Sequence, residues 1–509
     1  MSLEAALITA RSGLLYTQRA LAAAANDVAN AETAGHTKKT VAARAVQVDG
    51  QGIGVRSLAP TRDVDEALVT ELDSRRAAAA GAEVRARLLE IIAAAHGGTE
   101  AGDGLGDLTA ALSTGFEDLR ANPSEAGRQS AVVLEASALA TRLNEISAAI
   151  GDARQQAQDG IVTEVGRIND ALKTIATLTR QIRDQVALTG NAAALEDQRD
   201  QAIATLSESL EVKALKREDG GLVLVARNGL VLPLDEKADA FATADAILGP
   251  TAYHGTGGTI PGIMLGGQDM TAALAGGRLA EFVALRDQTL PRYQAEADLA
   301  AAHLAARFDA VGLTLFTDAI GAVPDTTQPY AGSAMVGFAG TIRVNAAVAG
   351  TPSLLRDGTH VVAGSPAGPT AFTPNPTGGP ASFTTLLDRV LDRTFGAEAQ
   401  AGVAWGAVPT GGLGPDGTLS SPFGAPATLE GYTGLLTASQ TADAASARSA
   451  VASTGALVDG LAARFQQRSG VDVDAEMSAM VTLQNAYAAN ARVMSTVQAM
   501  WDSLLGAVR

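Results

Sequence analysis

The residues with the clearest potential for chemistry are the histidines, His36, His96, His254, His303 and His360. None lies three or four residues from another histidine, which is the spacing that places two zinc ligands on one helix face. The chain contains no cysteine, so disulfides, thiol catalysis and cysteine-ligated metals are excluded. We therefore interpret the histidines as solvated or ordinarily packed side chains.

The glycine and aspartate motifs do not match catalytic patterns either. No G-x-x-x-x-G-K-[ST] phosphate loop and no G-x-S-x-G nucleophile turn occurs in the sequence. The alternation of Gly50, Gly52 and Gly54 lacks dinucleotide-binding spacing and favours a tight turn. Asp472-Val473-Asp474 lacks the glycine and the distal glutamate of a calcium loop, and it indicates a helix cap. We predict no catalytic residue, no cofactor and no metal, and hence a protein that is not an enzyme.

The composition narrows the classes of partner. The formal net charge is −17 and the pI is about 4.8, which argues against nucleic acid and against an anionic membrane surface, since both require clustered Lys and Arg. No apolar stretch reaches the length of a membrane span, and the first residues show no secretory signal pattern. Hydrophobic residues make up 47% of the chain but aromatic residues only 4%, which favours long, closely packed, alanine-rich helices.

The distribution of proline divides the chain into three zones. Of 18 prolines, only Pro60 and Pro123 precede residue 231, and none follows Pro426. Proline inside a helix costs about 3 kcal/mol or more, so both ends are predicted to be helical and the middle to be different. A chain of 509 residues also exceeds what one hydrophobic core usually serves, so we expect several domains.

Both ends of the chain carry apolar residues at heptad spacing, which we call the heptad stripes. The N-terminal stripe consists of Leu7, Leu14, Leu21 and Val28, interleaved with Leu3, Ala10, Thr17, Ala24 and Ala31. The C-terminal stripe consists of Met480, Tyr487, Met494, Trp501 and Val508, interleaved with Leu483, Asn490, Val497 and Leu504. Burying one Leu or Met is worth about 1.5–3 kcal/mol, so each stripe requires a partner helix. We predict an assembly interface formed by Leu7, Leu14, Leu21, Val28, Met480, Leu483, Tyr487, Met494, Val497, Trp501 and Leu504.

Further helices are predicted between the ends. Asn122-Pro123-Ser124-Glu125 has Asn at an N-cap, Pro at the first helical position and Glu at the third, which predicts a helix start. Apolar residues then recur every three or four positions over 139–186, and Gly190-Asn191 indicates the end of that helix. Helices are also predicted over 192–210, 278–312 and 440–468, with Pro291 kinking or splitting the second of these.

The middle zone has the pattern of short strands. Leu222–Val225 and Leu230–Leu232 flank Asn228-Gly229, a dipeptide that predicts a type I′ hairpin turn. Residues 313–430 are rich in Gly, Pro, Thr and Ser, with β-favouring runs such as Thr341–Val344. The predicted fold is mainly α with a β-rich insertion: terminal coiled-coil helices, a long-helix bundle stalk and discontinuous outer β-rich domains. The predicted domains are a terminal helical core (1–60 and 470–509), a helical bundle (61–210, 276–312 and 431–469) and an outer β-rich part (211–275 and 313–430).

One segment near the N-terminus resembles a known signature. Residues 25–38, in which Asn26, Asn30, Thr33 and Gly35 are typical of helix ends and turns, resemble the motif shared by flagellar axial proteins. The sequence departs from that motif at Asp27 and Glu32, where Asn is usual, and at His36, where Tyr is usual.

Other segments narrow the resemblance. Residues 471–477 and 483–493 look like the closing helix of the axial proteins. Three further segments are similar to the hook-associated family of the hook–filament junction, the FlgK family: Ala121–Ser124 with Arg128-Gln129, Leu195–Asp200, and Gly277–Leu279 with Leu285–Asp287 and Leu290-Pro291.

The resemblance implies a structural subunit of the bacterial flagellum that is extracellular and exported unfolded, without a cleaved signal peptide, by the flagellar type III apparatus. Its terminal helices would form a tubular core in a ring of identical subunits, in contact with hook protein and with a second junction protein, and an export chaperone is expected. The alternatives are another flagellar axial protein (hook, rod or flagellin-like) and an unrelated secreted coiled-coil protein.

Overall fold

The structure, a computed structural model, describes residues 3–48, 51–97 and 102–507. Gly50 and Val508, which belong to patterns named above, lie outside these residues. The α-helices are α1 (Leu3–Ala29), α2 (Glu66–Ala95), α3 (Leu105–Ala121), α4 (Ala126–Thr189), α5 (Ala193–Ser209), α6 (Gly277–Ala284), α7 (Leu290–Ala310), α8 (Ala346–Gly350), α9 (Leu354–Asp357), α10 (Thr385–Arg389), α11 (Leu429–Ser469) and α12 (Val473–Ala507). Within the described residues, no helix combines the length and the apolar character that a bilayer crossing requires.

The longest helix, α4, spans 64 residues, which corresponds to about 96 Å at the usual rise per residue. The apolar positions predicted from spacing, including Leu139, Ile146 and Ile182, are buried, because a 3.6-residue period keeps them on one face. Gly190 ends the helix in the left-handed region at φ 69°, as predicted. Gly160 lies within the helix, and a Cβ there would lie 2.5 Å from the Phe282 ring, so glycine permits close packing with α6.

The predicted start of this helix is wrong. Asn122 is the C-cap of α3, and α4 begins at Ala126 with Glu125 as its N-cap. Residues 122–125 form the turn of a helical hairpin, in which Glu125 N donates to Asn122 O and Gln129 Nε2 donates to Pro123 O. Asn and Pro are common both in a tight turn between helices and at a helix start. Because α3 ends at this point, residues 122–125 form the turn.

The helix predicted over 278–312 is present, and Pro291 does not split it, because the chain stays helical from Gly277 to Ala310. Residues Leu285–Thr289 form a π-helical turn, the π-turn, that joins α6 to α7, and Pro291 lies in the first turn of α7. A proline ring clashes with the carbonyl four residues before it, and the wider turn gives that carbonyl room.

The strands are short and scattered through the small sheets. They are β1 (Lys39–Thr40), β2 (Ala43–Val48), β3 (Gln51–Ser57), β4 (Thr61–Arg62), β5 (Val212–Lys216), β6 (Leu222–Ala226), β7 (Val231–Leu232), β8 (Phe241–Ala242), β9 (Met264–Leu265), β10 (Gln268–Asp269), β11 (Phe316–Thr317), β12 (Arg343–Val344), β13 (Glu398–Gln400), β14 (Val403–Ala404), β15 (Gly411–Leu413) and β16 (Leu419–Ser420). All named pairings are antiparallel, for example β5–β6–β7 and β1–β4. The predicted fold class, mainly α with β-rich insertions, is confirmed.

The hairpin between β6 and β7 is present, but the predicted turn type is wrong. Ala226 N donates to Leu230 O, so the loop contains three residues rather than the two of a type I′ turn. Gly229 N donates back to Ala226 O, and Gly229 takes φ 87°. Asn-Gly therefore serves here as the end of a three-residue loop in which only the glycine must adopt a positive φ.

The main hydrophobic core runs continuously from Val84 on α2 to Ala447 on α11. It joins the bundle helices with the middle zone, and Phe116, Phe308 and Phe395 form an aromatic cluster inside it. The residues buried on α1 and α12 do not belong to this core. The two terminal helices are therefore held by other contacts, which are described next.

Candidate assembly surface at the paired terminal helices

Helices α1 and α12 pack against each other as an antiparallel pair. Gly13 faces Asn490, because a Cβ on Gly13 would lie 2.9 Å from the Asn490 amide. The end of α1 lies beside the start of α12, where Lys38 Nζ contacts Glu476 Oε1 at 2.6 Å and Lys38 N donates to Ser469 O at 2.9 Å. The two heptad stripes are thus brought together within one chain.

The most buried stripe positions on α1 are the small interleaved residues, and the leucines are less buried. Ala10, Thr17 and Ala24 are buried, again at intervals of seven residues. Small side chains at these positions let the two backbones approach closely. The predicted stripe residues of α1, Leu7, Leu14, Leu21 and Val28, are all half-buried.

The stripe on α12 divides into two parts. Val497 is buried and Met480, Leu483 and Met494 are half-buried. Tyr487, Trp501 and Leu504 are exposed, at 39%, 42% and 50%. Helix α12 has 35 residues and α1 has 27, so in the antiparallel register the end of α12 runs past the start of α1 at Leu3. Within the part of the chain that the structure describes, the exposed tip of α12 therefore has no partner helix.

Several exposed apolar residues on this pair were missed by the sequence analysis. They are Ile8, Leu15, Val481, Val493, Met500 and Leu505. Each lies one position away from a residue of the heptad stripes, so a search for apolar neighbours of each stripe position would have found them. We refer to these residues, together with Tyr487, Trp501 and Leu504, as the exposed apolar face of the terminal pair.

The axial-protein motif lies where α1 ends. Asn30 Nδ2 donates to Asn26 O at 2.9 Å, and Thr33 Oγ1 donates to Asn30 Oδ1 at 3.3 Å. His36 N then donates to Thr33 O, and Gly35 takes φ 78° between them. The motif thus ends the helix and turns the chain toward β1.

Two of the departures from the motif contact each other. Asp27 is fully buried, and its carboxylate lies 2.9 Å from His36 Nε2 and accepts a hydrogen bond of 2.8 Å from Lys39 N. The third departure, Glu32, is exposed. The Asp and His that replace the usual Asn and Tyr therefore form a compensating pair.

Asp197 on α5 ties the motif to the helical bundle. It accepts hydrogen bonds from Thr37 Oγ1 at 2.7 Å and Arg62 Nη1 at 3.0 Å, and it pairs with Lys39 Nζ. Arg62 also bonds Asp200 Oδ2 at 2.8 Å. We call Thr37, Lys39, Arg62, Asp197 and Asp200 the polar joint. The structure thus brings the axial motif and the Leu195–Asp200 segment together, although some 160 residues separate them in sequence.

The electrostatics of the polar joint favour ionised partners. Burial raises the pKa of Asp197, but hydrogen bonds from Lys39, Thr37 and Arg62 outweigh burial, so the pKa is lowered overall. For Arg62, burial lowers the pKa while Asp200, Asp197 and Glu196 raise it above its ordinary value. The joint is thus a compact set of paired charges that locks the end of α1 to α5.

The remaining family-like segments serve packing. Arg286 in the π-turn is fully buried and bonds Asp287 through both carboxylate oxygens and Gln158 Oε1 at 2.8 Å. Asp472 caps α12 by accepting from Asp474 N and Ala475 N, which confirms the helix-cap interpretation. Across residues 3–48, 51–97 and 102–507, no group of three His, Asp or Glu residues is arranged to hold a metal ion.

Comparisons with known proteins agree with these features. The sequence model of the family described as "Flagellar hook-associated protein FlgK helical domain" matches residues 98–318. The model described as "Flagellar basal body rod FlgEFG protein C-terminal" matches residues 462–507, which include the whole of α12.

Individual relatives are similar over part of their length. The chain is 28% identical over 239 residues to flagellar hook-associated protein 1 of Bacillus subtilis (strain 168), covering 44% of this chain and 46% of that protein. It is 25% identical over 270 residues to flagellar hook-associated protein 1 of Escherichia coli (strain K12), covering 49% and 48%. The chain thus matches about half the length of these curated relatives. The solved structure of the flagellar hook junction protein FlgK from Burkholderia pseudomallei aligns with TM-score 0.42 and 21% identity, covering 49% of this chain and 44% of that chain.

Proposed function

We propose that the chain is a member of the FlgK family of flagellar hook-associated proteins and a structural subunit joining the flagellar hook to the filament, a proposal that its similarity to that family supports. The observation that carries this proposal is the terminal helix pair, which lies outside the main core and presents an exposed apolar face. A face of this kind is stabilised when a neighbouring helix covers it, and the natural partner in a polymer is the same pair on another copy of the chain.

The size of the effect follows from the exposed residues. Trp501, Leu504 and Met500 are each about half exposed, so covering each contributes roughly 1 kcal/mol. Several such residues on every subunit, repeated around a ring, would stabilise an assembly that one contact alone would not. We infer that Tyr487, Trp501 and Leu504 contact neighbouring subunits, and that Leu7, Leu14, Leu21, Val28, Met480, Leu483, Met494 and Val497 hold the intrachain pair.

The remaining partners and the domain roles are part of the same proposal. The terminal helices would form the tubular core of a ring of identical subunits, touching hook protein on one side and a second junction protein on the other. The helical bundle would carry the middle β-rich segments outward. The protein would reach this site by type III export, bound by a chaperone before export, and act extracellularly with no catalytic role.

A second candidate is a rod or hook subunit. The observation that favours it is the match of residues 462–507 to the C-terminal model of rod-type proteins. The match of residues 98–318 to the FlgK helical domain covers more of the chain and favours the junction.

Motility complementation tests the proposal. In flagellated cells that lack this protein, we expect hooks without filaments, rescued by the unaltered chain. Leu504→Asp should fail to rescue, because it places a charge on the exposed tip of α12. The matched control is Leu188→Asp on α4, since Leu188 is 82% exposed but lies outside the terminal pair.

The two variants should unfold thermally like the unaltered chain, because neither leucine is buried. Filaments on cells carrying Leu504→Asp would contradict the assembly role of the tip. Hooks that are themselves absent in the deletion strain would favour the rod or hook candidate instead.

A further inference from the structure

A cavity of about 520 Å³ lies at the end of α7, far in sequence from the terminal pair. One wall is the α7 face bearing His303, Ala306 and Arg307, and the others are the segments 323–327 and 405–407. Cavities of this size accommodate small organic ligands. Neither the polar joint nor the apolar face uses these residues.

Arg307 lies in this cavity without an acidic partner. Its side chain is only 3% exposed, and Nη1 and Nη2 donate to the carbonyls of Gly396 and Ala427. Nε is buried and has no hydrogen-bond partner among the described residues. Burial lowers the pKa of Arg307 to about 10, and the described part of the chain places no carboxylate in an ion pair with it. A buried guanidinium without a counter-ion is costly, and a bound anion would relieve that cost.

Two further side chains shape the cavity around this guanidinium. The Arg307 guanidinium lies over the Trp405 ring, 5.2 Å from its centroid, which fixes the orientation of the planar group. His303 is 7% exposed and its Nε2 also lacks a hydrogen-bond partner. Burial, followed by the charge of Arg307, lowers the pKa of His303 to about 4, so the imidazole is neutral at physiological pH.

The rim of the cavity carries the opposite charge. Asp309 accepts a hydrogen bond from Thr314 Oγ1, and Asp325 is held by Thr327 and Gln328. A ligand with a second negative charge would meet these carboxylates at the mouth, whereas an ammonium group there would be attracted. The charge pattern therefore selects one carboxylate inside and a neutral or cationic end outside.

We propose that this cavity binds a monocarboxylate, whose negative charge lies beside the buried guanidinium of Arg307 while its remainder lies against Trp405. A free small acid and an acidic side chain of a neighbouring protein present the same group. The site is independent of the proposed junction role.

Fluorescence of Trp405 can report the binding. The chain contains two tryptophans, so Trp501→Phe leaves Trp405 as the single reporter. We would titrate the full chain at constant ionic strength with butyrate, 4-aminobutyrate, succinate and butylammonium, which have the same chain length. The expected result is a saturable response to butyrate and 4-aminobutyrate, a weaker one to succinate and none to butylammonium.

Two variants test the geometry. Arg307→Gln removes the guanidinium, and Ala306→Leu fills the cavity from the α7 wall without touching the charge. Each should weaken butyrate binding by about tenfold or more. Ala445→Leu, at an exposed alanine of α11, is the control and should bind like the parent chain. If Arg307→Gln fails to fold, Ala306→Leu still decides the test.

The affinity distinguishes the two sources of the carboxylate. A dissociation constant below about 1 mM for butyrate on the monomer supports a free small acid. A weaker but saturable constant supports an acidic side chain of a neighbouring protein as the natural occupant. Absence of any saturable carboxylate response, a response to butylammonium alone, or unchanged binding by Ala306→Leu would overturn the proposal.

Discussion

Asp197 offers the sharpest test of how the terminal helices are held. The substitution Asp197→Ala removes the carboxylate that accepts hydrogen bonds from Thr37 and Arg62 and pairs with Lys39 at the polar joint. Arg62 retains Asp200 at 2.8 Å and Glu196 at 3.0 Å. Lys39 is 9% exposed and loses its carboxylate partner, keeping only the imidazole of His36. The cost therefore arises mainly at Lys39 and Thr37.

The magnitude follows from these contacts. Removing one partner of a buried charge pair costs about 3–5 kcal/mol, because the other charge stays buried and uncompensated. Lys39→Met keeps the apolar stem and leaves Asp197 with Thr37 and Arg62, so it should cost roughly 1–2 kcal/mol. In the double variant no unpaired lysine remains, so its cost should fall below the sum of the two single costs by about 1–3 kcal/mol.

Denaturant unfolding of the parent chain, the two single variants and the double variant measures this double-mutant cycle. Hydrogen exchange shows which part of the chain is destabilised. Exchange should accelerate at Thr37 and in β1 and β4, while the core of α4 keeps its protection. The exposed pair Arg180–Asp184, 3.6 Å apart, provides the control, and Asp184→Ala should produce no measurable change.

The pH dependence of the Asp197 effect has a definite sign. Because the native pKa of Asp197 is lowered, its contribution is complete above the ordinary carboxyl range and disappears only as pH falls through that lowered pKa. The cost of Asp197→Ala should therefore be equal at pH 6 and pH 8. A cost below about 1 kcal/mol, or additive single effects, would refute the idea that a paired charge cluster locks the joint.

Two further predictions concern buried carboxylates. The double variant Asp27→Asn with His36→Tyr should be more stable than either single variant, because each single change leaves one member of a contacting pair without its partner. Thermal melts of the parent chain, the two single variants and the double variant measure this. Additive effects would contradict it. Burial raises the pKa of Asp298 to about 6, despite hydrogen bonds from Gly337 N, Tyr330 Oη and Ala339 N, so the native state binds more protons than the unfolded state between about pH 4 and 6. The contribution of Asp298 to the free energy of unfolding therefore falls as pH rises through that range. An asparagine does not titrate, so Asp298→Asn should be about 2 kcal/mol more destabilising at pH 4.5 than at pH 7, as measured by urea titrations. A pH-independent cost would show that Asp298 keeps an ordinary pKa in the fold.

The sequence predicted those parts of the fold that depend on local periodicity. The burial of Leu139, Ile146 and Ile182 follows from the helical period, and the end of α4 follows from the conformational freedom of Gly190. The start at Asn122 failed because the same residues suit a turn between two helices. The local residue types indicate that a helix boundary lies there. Whether that boundary ends one helix or begins the next depends on the neighbouring helix.

The candidate site is built from contacts between distant parts of the chain, which the spacing of residues in the sequence cannot predict. Asp197 and Lys39 lie 158 residues apart, so their pairing emerges only from the fold. The heptad pattern treats Met494 and Leu504 alike, but the antiparallel register and the unequal helix lengths half-bury Met494 and expose Leu504. Residue type and period therefore identify the stripe, and the register divides it into an inner and an outer part.

Because the stripe has an inner part and an outer part, we expect two kinds of assembly defect: loss of stability of the single chain, and loss of contact between subunits. Among the described residues, the terminal pair shares no buried residue with the main core. Its two helices are held together by close packing of small residues. The pair is held to the rest of the chain by the polar joint and by contacts of α1 with β3, where Val55 N donates to Ser12 Oγ at 3.1 Å. The tip of α12 contributes nothing to either, since Leu504 and Leu505 are exposed. Variants at the joint must therefore lower the stability of the single chain before any polymer forms. Variants at the tip must leave that stability intact and act only when a neighbour arrives, which is why the two must be measured in different assays.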